Sequence, residues 1–584
     1  MNDAQLQVMW NRLLSVVEEQ GQTLIRAAFS PIVRECGDIS AGIFDFEGRM
    51  LAQAVTGTPG HINTMAEAVK TLRQRFPVAT MRPGDIYMTN DPWLASGHLN
   101  DFLLLMPVYL GNQVVGFTSC TSHLIDLGGL GMGPEGSDVY DEGLLLPPCK
   151  LVDQGELNPL LMEIVRANSR EPIANEGDIY ALVACCESGA KRLLTMMQDF
   201  GIDTLDVLAD YIIKISRRGT LDAIAAIPYG TYTNKLIVDG YDAELELHCQ
   251  LTINKHGVTA DFSGTSPCTN KGINVPLNYA TAYTVFGLRC IIGPEIPNNA
   301  GSLEPFRVTA PEGCILNAIR PAPVAMRHTL GQMTPDLVLG CLHQALPDEV
   351  PAEGASCMYD LPLRHTADAA MQGWCEFAVE LVHNGGTGAR PGSDGLSATA
   401  YPSGVFGSQV EITEAVAPVI VWRRELLADS GGAGEFRGGL GQHIELCSAV
   451  DEPFLVFLSV ERIKNPAKGR DGGMSGRPGS IRITGRKTGI HKVSPAKGDS
   501  NEHPGVVVSE ETESVTIAGK CVCRVEPGER LLFDTPGGGG FGSPLNREPE
   551  YLHRDIAEGI VSADAAVSDY GQSHLVLDGA SAGE

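Results

Sequence analysis

Residues 83–133 read PGDIYMTNDPWLASGHLNDFLLLMPVYLGNQVVGFTSCTSHLIDLGGLGMG, and the fold turns on how they pair. Phe102 to Leu110 is an apolar run and Gln113 to Thr118 a second strand-like one. Gly111-Asn112 between them is a two-residue hairpin signal. Pro107 inside the first run predicts an edge strand or a bulge. A tight hairpin brings the residue before its first strand close to the residue after its second. His98 and Asp101 stand on one side of that junction and His123 on the other. Two imidazoles and a carboxylate form a borderline N/O donor set that suits Zn, Mn, Fe(II) or Co. The competing reading is a hydrogen-bonded polar rim on a buried sheet. Asp91, before Pro92, sits at the mouth of a turn and not inside a helix.

Working outward, residues 4 to 28 carry a helical apolar stripe through Leu6, Met9, Leu13, Val16 and Val17. Ile39 to Phe46 reads as a strand with Asp38 at its start. His61, after Thr58-Pro59-Gly60, opens a helix with Ile62, Met65, Val69 and Leu72 on one side. An imidazole at a helix N-terminus is disfavoured as a cation. His61 is therefore either a cap or a neutral proton-transfer group. Residues 131–151, rich in Gly and Pro, read as a long ordered loop containing Glu142. Asp178 is expected to cap a helix running to about Gln198, with Arg170 either clamping it or binding an anion. A helix follows at 203–217.

From Gly230 the pattern alternates in period two and predicts an antiparallel meander, after which GINVPLNYATAYTVFGLRCII switches to helix. RHTLGQMTPDLVLGCLHQALPD reads as a further helix. Beyond about 375 the chain is mostly strand-like, beginning with WCEFAVELV. Glycine clusters at 431–441 and 534–544 lack Walker spacing and are not followed by a good helix. They read as tight turns where backbones cross. Residues 546–570 form short helices and LDGASAGE a frayed tail.

The expected class is mixed α+β and multi-domain: an N-terminal α/β metal-site domain over 1–225, a mixed α+β region over 226–375, a β- and glycine-rich domain over 376–545, and C-terminal helices and tail over 546–584. At 584 residues the chain is too long for one core. A formal charge of −28 without a basic stripe argues against nucleic acid. No apolar run reaches spanning length, so no membrane segment is expected, and the start MNDAQLQVMW lacks a secretory pattern. The 15 scattered cysteines fit reduced thiols in a cytoplasmic protein.

Asn90-Asp91-Pro92, the H-x-x-D of His98 and Asp101, and the S-H-x-x-D-x-G-G of Ser122 to Gly129 resemble the B subunits of ATP-dependent hydantoinases and 5-oxoprolinases. That family includes the caprolactamase small subunit and the acetone carboxylase alpha subunit. Glu142-Gly143 with Pro147-Pro148, the N-x-R-x-P at Asn168 to Pro172, Gly331-Gln332 and both glycine clusters extend the similarity along nearly the whole chain. One departure is His123-Leu124, where the family often has His-His.

The resemblance implies one subunit of an ATP-dependent hydrolase that opens a lactam, hydantoin or 5-oxoproline ring. A hydantoinase A-type partner with an actin-like ATPase fold would bind ATP and phosphorylate the substrate, giving an obligate hetero-oligomer. This chain, which has no convincing ATP motif of its own, would supply water activated by one divalent transition metal, Zn or Mn. The resemblance adds Asp38 to the ligands His98, Asp101 and His123, with Asp91 as substitute. It makes His61 or Glu142 the proton carrier. Asp126 would hold a ligand histidine in its tautomer. The alternatives are a subunit of an acetone- or acetophenone-type carboxylase, and a non-catalytic scaffold for the ATPase subunit.

Overall fold

The hairpin forms as its turn dictates, and it lies in the middle of a seven-stranded sheet. The computed structural model describes residues 2–55, 57–366, 377–485, 507–509 and 514–572. The strands are β1 (Ile39–Asp45), β2 (Met50–Gln53), β3 (Ile86–Thr89), β4 (Asp101–Leu110), β5 (Gln113–His123), β6 (Cys149–Asp153) and β7 (Glu156–Leu157), in the order β2-β1-β5-β4-β3-β6-β7. The β4–β5 register runs from Leu110 opposite Gln113 at the turn to Asp101 opposite His123 at the open end. Pro107 produces no edge strand. It is tolerated because a register shift follows at Val108/Tyr109, and because β3 pairs only with Leu103 to Leu105.

Strand parity sorts the faces. Leu103, Leu105, Phe117 and Phe44 pack against Ile62, Met65, Val69 and Leu72 of helix α2 (Pro59–Arg75). The alternate residues face helices α1 (Asp3–Ala27) and α3 (Pro172–Phe200): Thr118 Oγ1 donates to Cys186 O, and Gln20 Nε2 to Ser119 O. Both faces are thus covered, which is why β4 reads as a continuous apolar run with little alternation. Asp178 lies inside α3, not at its cap, because Pro172 at the first helical positions starts the helix earlier. Its carboxylate accepts instead from the backbone N–H groups of Phe29 and Ser30.

Two compact units describe the contacts. The first comprises Met1–Asn234, His248–Cys341 and Ser403–Val405, and the second Lys235–Leu247, Leu342–Pro402 and Phe406–Glu584. The boundary expected at 375/376 and the tail 577–584 lie outside the described residues, as do Trp374 to Glu376 of the expected strand. The first unit also holds helix α4 (Asp206–Ala225) and helix α5 (Leu277–Arg289). The meander is present as β8 (Gly230–Val238), β9 (Leu245–Asn254) and β10 (Gly257–Asp261), joined by a parallel β11 (Phe306–Thr309). The helix expected from Arg327 is two pieces, His328–Gly331 and Thr334–Leu342.

The second unit stacks two antiparallel sheets. One contains β12 (Tyr359–His365), β13 (Ala378–His383), β16 (Phe454–Ser459) and β20 (Lys520–Val525). The other contains β14 (Val419–Leu426), β15 (Gln442–Ser448), β17 (Ser480–Thr484), β18 (Val507–Ser509), β19 (Ser514–Thr516) and β21 (Arg530–Asp534). Their inner faces share one core through Leu361, Leu363, Val456, Ile444, Ile481 and Phe533. The C-terminal helices Pro549–Ala557 and Ala563–Ser568 pack on Ala433 through Leu552 and Ala566.

Both glycine clusters lie in this unit, where their backbones cross in direct contact. Gly432 N donates to Gly538 O, Gly538 N to Gly439 O, and Gly439 N to Thr387 O, at 2.8 to 2.9 Å. A Cβ on Gly438 would lie 1.9 Å from Gly538 O. These glycines are required for space, and the clusters are structural.

Among the described residues no helix is long and apolar enough to cross a membrane, and no disulfide joins the cysteines.

Candidate metal centre

Three strands deliver the first residues. Asp101 opens β4 opposite His123 at the end of β5, and Ile39 pairs with Ser122, so Asp38 falls next to His123. His123 N donates to Asp38 O at 3.3 Å. By parity Asp38, Asp101 and His123 share the face that α2 covers, and Thr58 N bonded to Ile39 O brings the α2 N-terminus onto them. His61 in the first turn of α2 therefore meets both carboxylates.

The two oxygens of each carboxylate divide the work. Asp101 Oδ1 lies 2.7 Å from His98 Nε2 and 3.2 Å from His123 Nδ1. Asp101 Oδ2 lies 2.7 Å from Arg327 Nη2 and 3.0 Å from His61 Nε2. Asp38 Oδ1 accepts from Thr58 Oγ1 at 2.8 Å and stands 3.5 Å from His61, while its Oδ2 is 3.9 Å from His123 Nδ1. His98, Asp101 and His123 place donor atoms within 4.8 Å of one another, all buried. Burial works against ionising Asp101, yet the imidazoles of His61 and His98 and the Arg327 guanidinium hold its carboxyl well below the usual carboxylate range.

The chemistry of His98 tests whether a cation fits. His98 Nδ1 faces Ala325 O at 3.2 Å. A carbonyl can only accept, so Nδ1 carries the proton. Burial, with the charge of Arg327, pushes the imidazole down to about 4, so at neutral pH Nε2 bears a lone pair. Nε2 lies 2.7 Å from Asp101 Oδ1 without being aligned for a hydrogen bond to it, so this buried nitrogen is left as an unused donor atom at the edge of the cluster. His98, His123 and Asp101 are donors of the kind a divalent transition ion takes; Asp38, expected as a fourth, stands at the edge of that group, its Oδ2 3.9 Å from His123 Nδ1.

The other expected site residues have different occupations. His61 is fully buried against the carboxylate oxygens that His98 and His123 do not face, a positioning place more than a proton carrier's. Asp91 does not join the cluster as a substitute ligand. It accepts from Trp93 N and pairs with Arg320 at 3.2 Å, as an Asx turn before a proline favours. Asp126 contacts no ligand histidine; Arg170 takes its carboxylate at 2.7 Å, which also settles what Arg170 binds. Glu142 Oε1 accepts from Val324 N and Ala325 N at 2.5 and 2.8 Å. It therefore fastens the segment whose next carbonyl orients His98.

That segment, Arg320 to His328, was not singled out for the site by the sequence. It also carries Arg327, which donates to Ser96 O at 3.0 Å, stacks 4.2 Å from the Tyr279 ring centre and pairs with Asp101. The available signal was two consecutive basic side chains, Arg327-His328, inside the apolar run from Ala322 to Leu330.

Glu142 yields a pH prediction. Burial pushes its carboxyl up to about 8, against 4.5 when free. Between those values the folded chain holds a proton that the unfolded chain releases, so stability falls as pH rises, by about 1.4 kcal/mol per pH unit. Glu142→Gln keeps the Oε1 acceptor and removes the titration. Urea unfolding should show the variant matching the wild type near pH 4.5 and exceeding it increasingly toward pH 8. Parallel curves would contradict the assignment.

A family model described as hydantoinase B/oxoprolinase matches residues 2–544. The chain is 29% identical over 589 residues to a putative D-/L-hydantoinase B subunit of Pseudomonas sp. (strain NS671), covering 97% of this chain and 94% of that one. It is similar to the crystal structure of an ATP-dependent caprolactamase from Pseudomonas jessenii, with TM-score 0.86, 25% identity and 99% of each chain covered. It shares the fold of a nucleotide-free acetone carboxylase, with TM-score 0.82, 22% identity, and 97% of this chain and 79% of that one covered.

Proposed function

The chain belongs to the hydantoinase B/oxoprolinase family, and from that premise we propose that it is the metal-dependent subunit of an ATP-dependent hydrolase of cyclic amides. The observation that carries the reading is the buried His98–Asp101–His123 cluster with Asp38 beside it. A ring amide is resonance-protected. A partner ATPase subunit would phosphorylate its oxygen, and water would then attack the activated carbon at this site. A divalent ion here would supply Lewis acidity, lowering the pKa of water and offsetting oxyanion charge. The chain's own residues would do the rest. Ala325 O fixes the His98 tautomer, and Arg327 and His61 hold the carboxylates from their outer oxygens. Burial of the whole cluster excludes bulk water. That a relative is named as the B component of a hydantoinase supports a partner subunit, and whole-length similarity to a caprolactamase supports a lactam-type substrate.

The test is ATP turnover by the chain with an A-type ATPase partner, Zn or Mn, and hydantoin, 5-oxoproline or caprolactam. Phosphate release stimulated by one of them, with ring opening, is the expected result. Stimulation only by a ketone with bicarbonate would replace the hydrolase with a carboxylase. No stimulation, and no metal bound, would leave a scaffold.

A further inference from the structure

Tyr279 stands in the first turn of α5 and is 1% exposed. Its ring lies against three stretches of chain that carry site residues. The Arg327 guanidinium stacks on it at 4.2 Å from the ring centre. The edge of that guanidinium is spent elsewhere, Nε on Ser96 O at 3.0 Å and Nη2 on Asp101 Oδ2 at 2.7 Å, so its face is what Tyr279 holds. A Cβ on Gly60, next to His61, would lie 2.6 Å from Tyr279 Cε2. One on Gly97, next to His98, would lie 2.9 Å from Tyr279 Cβ, and one on Gly331 2.5 Å from its Cε1. Gly60 and Gly331 have no left-handed backbone, so what they supply is room for the ring. A smaller core residue would let both carry a side chain. Asn278 anchors this end of α5: its Nδ2 donates to Pro92 O at 3.0 Å and to Ala95 O at 2.6 Å, in the turn that leads to His98.

We propose that Tyr279 is a positioning residue of the candidate metal centre: its ring keeps Arg327 on the outer oxygen of Asp101 and sets the spacing of the turns that bring in His61 and His98. The inference rests on the function proposed above, since it takes the cluster to hold a divalent ion. Tyr279 itself is no ligand. A buried guanidinium laid flat on an aromatic face is held there by the charge distribution of the ring. With Arg327 in place, Asp101 Oδ2 is occupied and Oδ1 is left to face His98 and His123. Groups that orient a metal ligand from behind contribute about 10–100-fold to affinity. The side chain meets Gly60, Gly97, Gly331 and Arg327 through its carbon atoms, so the hydroxyl is not needed for this role.

The test is the affinity of the full chain for Co(II) and Zn(II), by competition with a chromophoric chelator, with the visible Co(II) band as a second reading. Tyr279→Phe should bind within about threefold of wild type and show the same band. Tyr279→Leu should lose about 10–100-fold in affinity and show an altered band. Tyr87→Leu is the control. Tyr87 is equally buried, at 1%, but lies in the core beneath α2, so its variant should lose stability and keep its metal affinity. Should Tyr279→Leu fail to fold, Tyr279→Met, longer and more adaptable, is read in the same way. A folded leucine or methionine variant within about threefold of wild type overturns the assignment. So does Tyr279→Phe, or Tyr87→Leu, losing as much as Tyr279→Leu. A wild type that binds neither ion brings down the metal reading of the site and this assignment together. A wild type that binds metal beside an indifferent variant removes only the latter.

Discussion

Asp101→Asn is expected to abolish metal retention and to destabilise the first unit even without metal. The carboxylate is fully buried and is approached by His98, His123, His61 and Arg327 at once. An amide can take one contact from each pair but cannot neutralise Arg327, itself buried and stacked on Tyr279. Removing one partner of a buried ion pair costs about 3–5 kcal/mol, because the other charge stays behind unpaired. The metal loses an anionic ligand on the same substitution. Urea unfolding in chelator isolates the first effect and elemental analysis reads the second. A variant with an unchanged midpoint would show that Arg327 finds another counterion. The wild type should also be acid-sensitive in a defined sense. The folded Asp101 titrates well below 3.8, so its contribution is complete above that value and is lost as pH falls below it.

Gly538→Ala is expected to prevent the second unit from folding. A Cβ at Gly538 would lie 1.9 Å from Thr387 O and 2.2 Å from Thr387 C, both backbone atoms. No rotamer change relieves such a clash. The residue is also bonded on both sides of its own peptide, giving N–H to Gly439 and carbonyl to Gly432, so a shift breaks the neighbouring contacts too. Gly438, Gly439 and Gly386 sit in the same network, with added Cβ atoms at 1.9 to 2.0 Å from backbone oxygens. Ordinary overpacking costs about 1–3 kcal/mol because side chains give way; here only backbone is available, and the cost should exceed that range. Gly528→Ala is the contrast. Gly528 has φ +83 and nothing within 4 Å of its Cβ, so it should lose only about 1–2 kcal/mol through left-handed strain. Soluble yield and denaturant midpoints of both variants decide. A Gly538→Ala chain as stable as the Gly528→Ala chain would refute the packing account.

What the sequence disclosed depended on distance along the chain. The Gly111-Asn112 turn brings the open ends of β4 and β5 together, so the approach of Asp101 to His123 was legible locally, while their direct pairing depends on the one-residue shift at Val108/Tyr109. Asp38 needed the resemblance, because its place beside His123 depends on β1 pairing with β5 across the sheet. His61 was legible as a helix start. What it meets depends on which face α2 covers, a long-range packing fact. Asp91 and Asp126 misled because they lie near the ligands in sequence. Each belongs to a turn that points its carboxylate elsewhere, to Arg320 and to Arg170. Arg327 stands 226 residues from the aspartate it pairs with, and no periodicity reports such a contact. The glycine clusters were legible as crossings, but not the chain segments they cross.

The most direct test is elemental analysis of the chain purified without chelator, beside His98→Ala. The account predicts about one Zn or Mn per chain in the wild type and none in the variant. A wild type free of metal, even after purification with its ATPase partner, would contradict it, and the buried histidines and carboxylates would then be a polar rim holding three strands and a helix together.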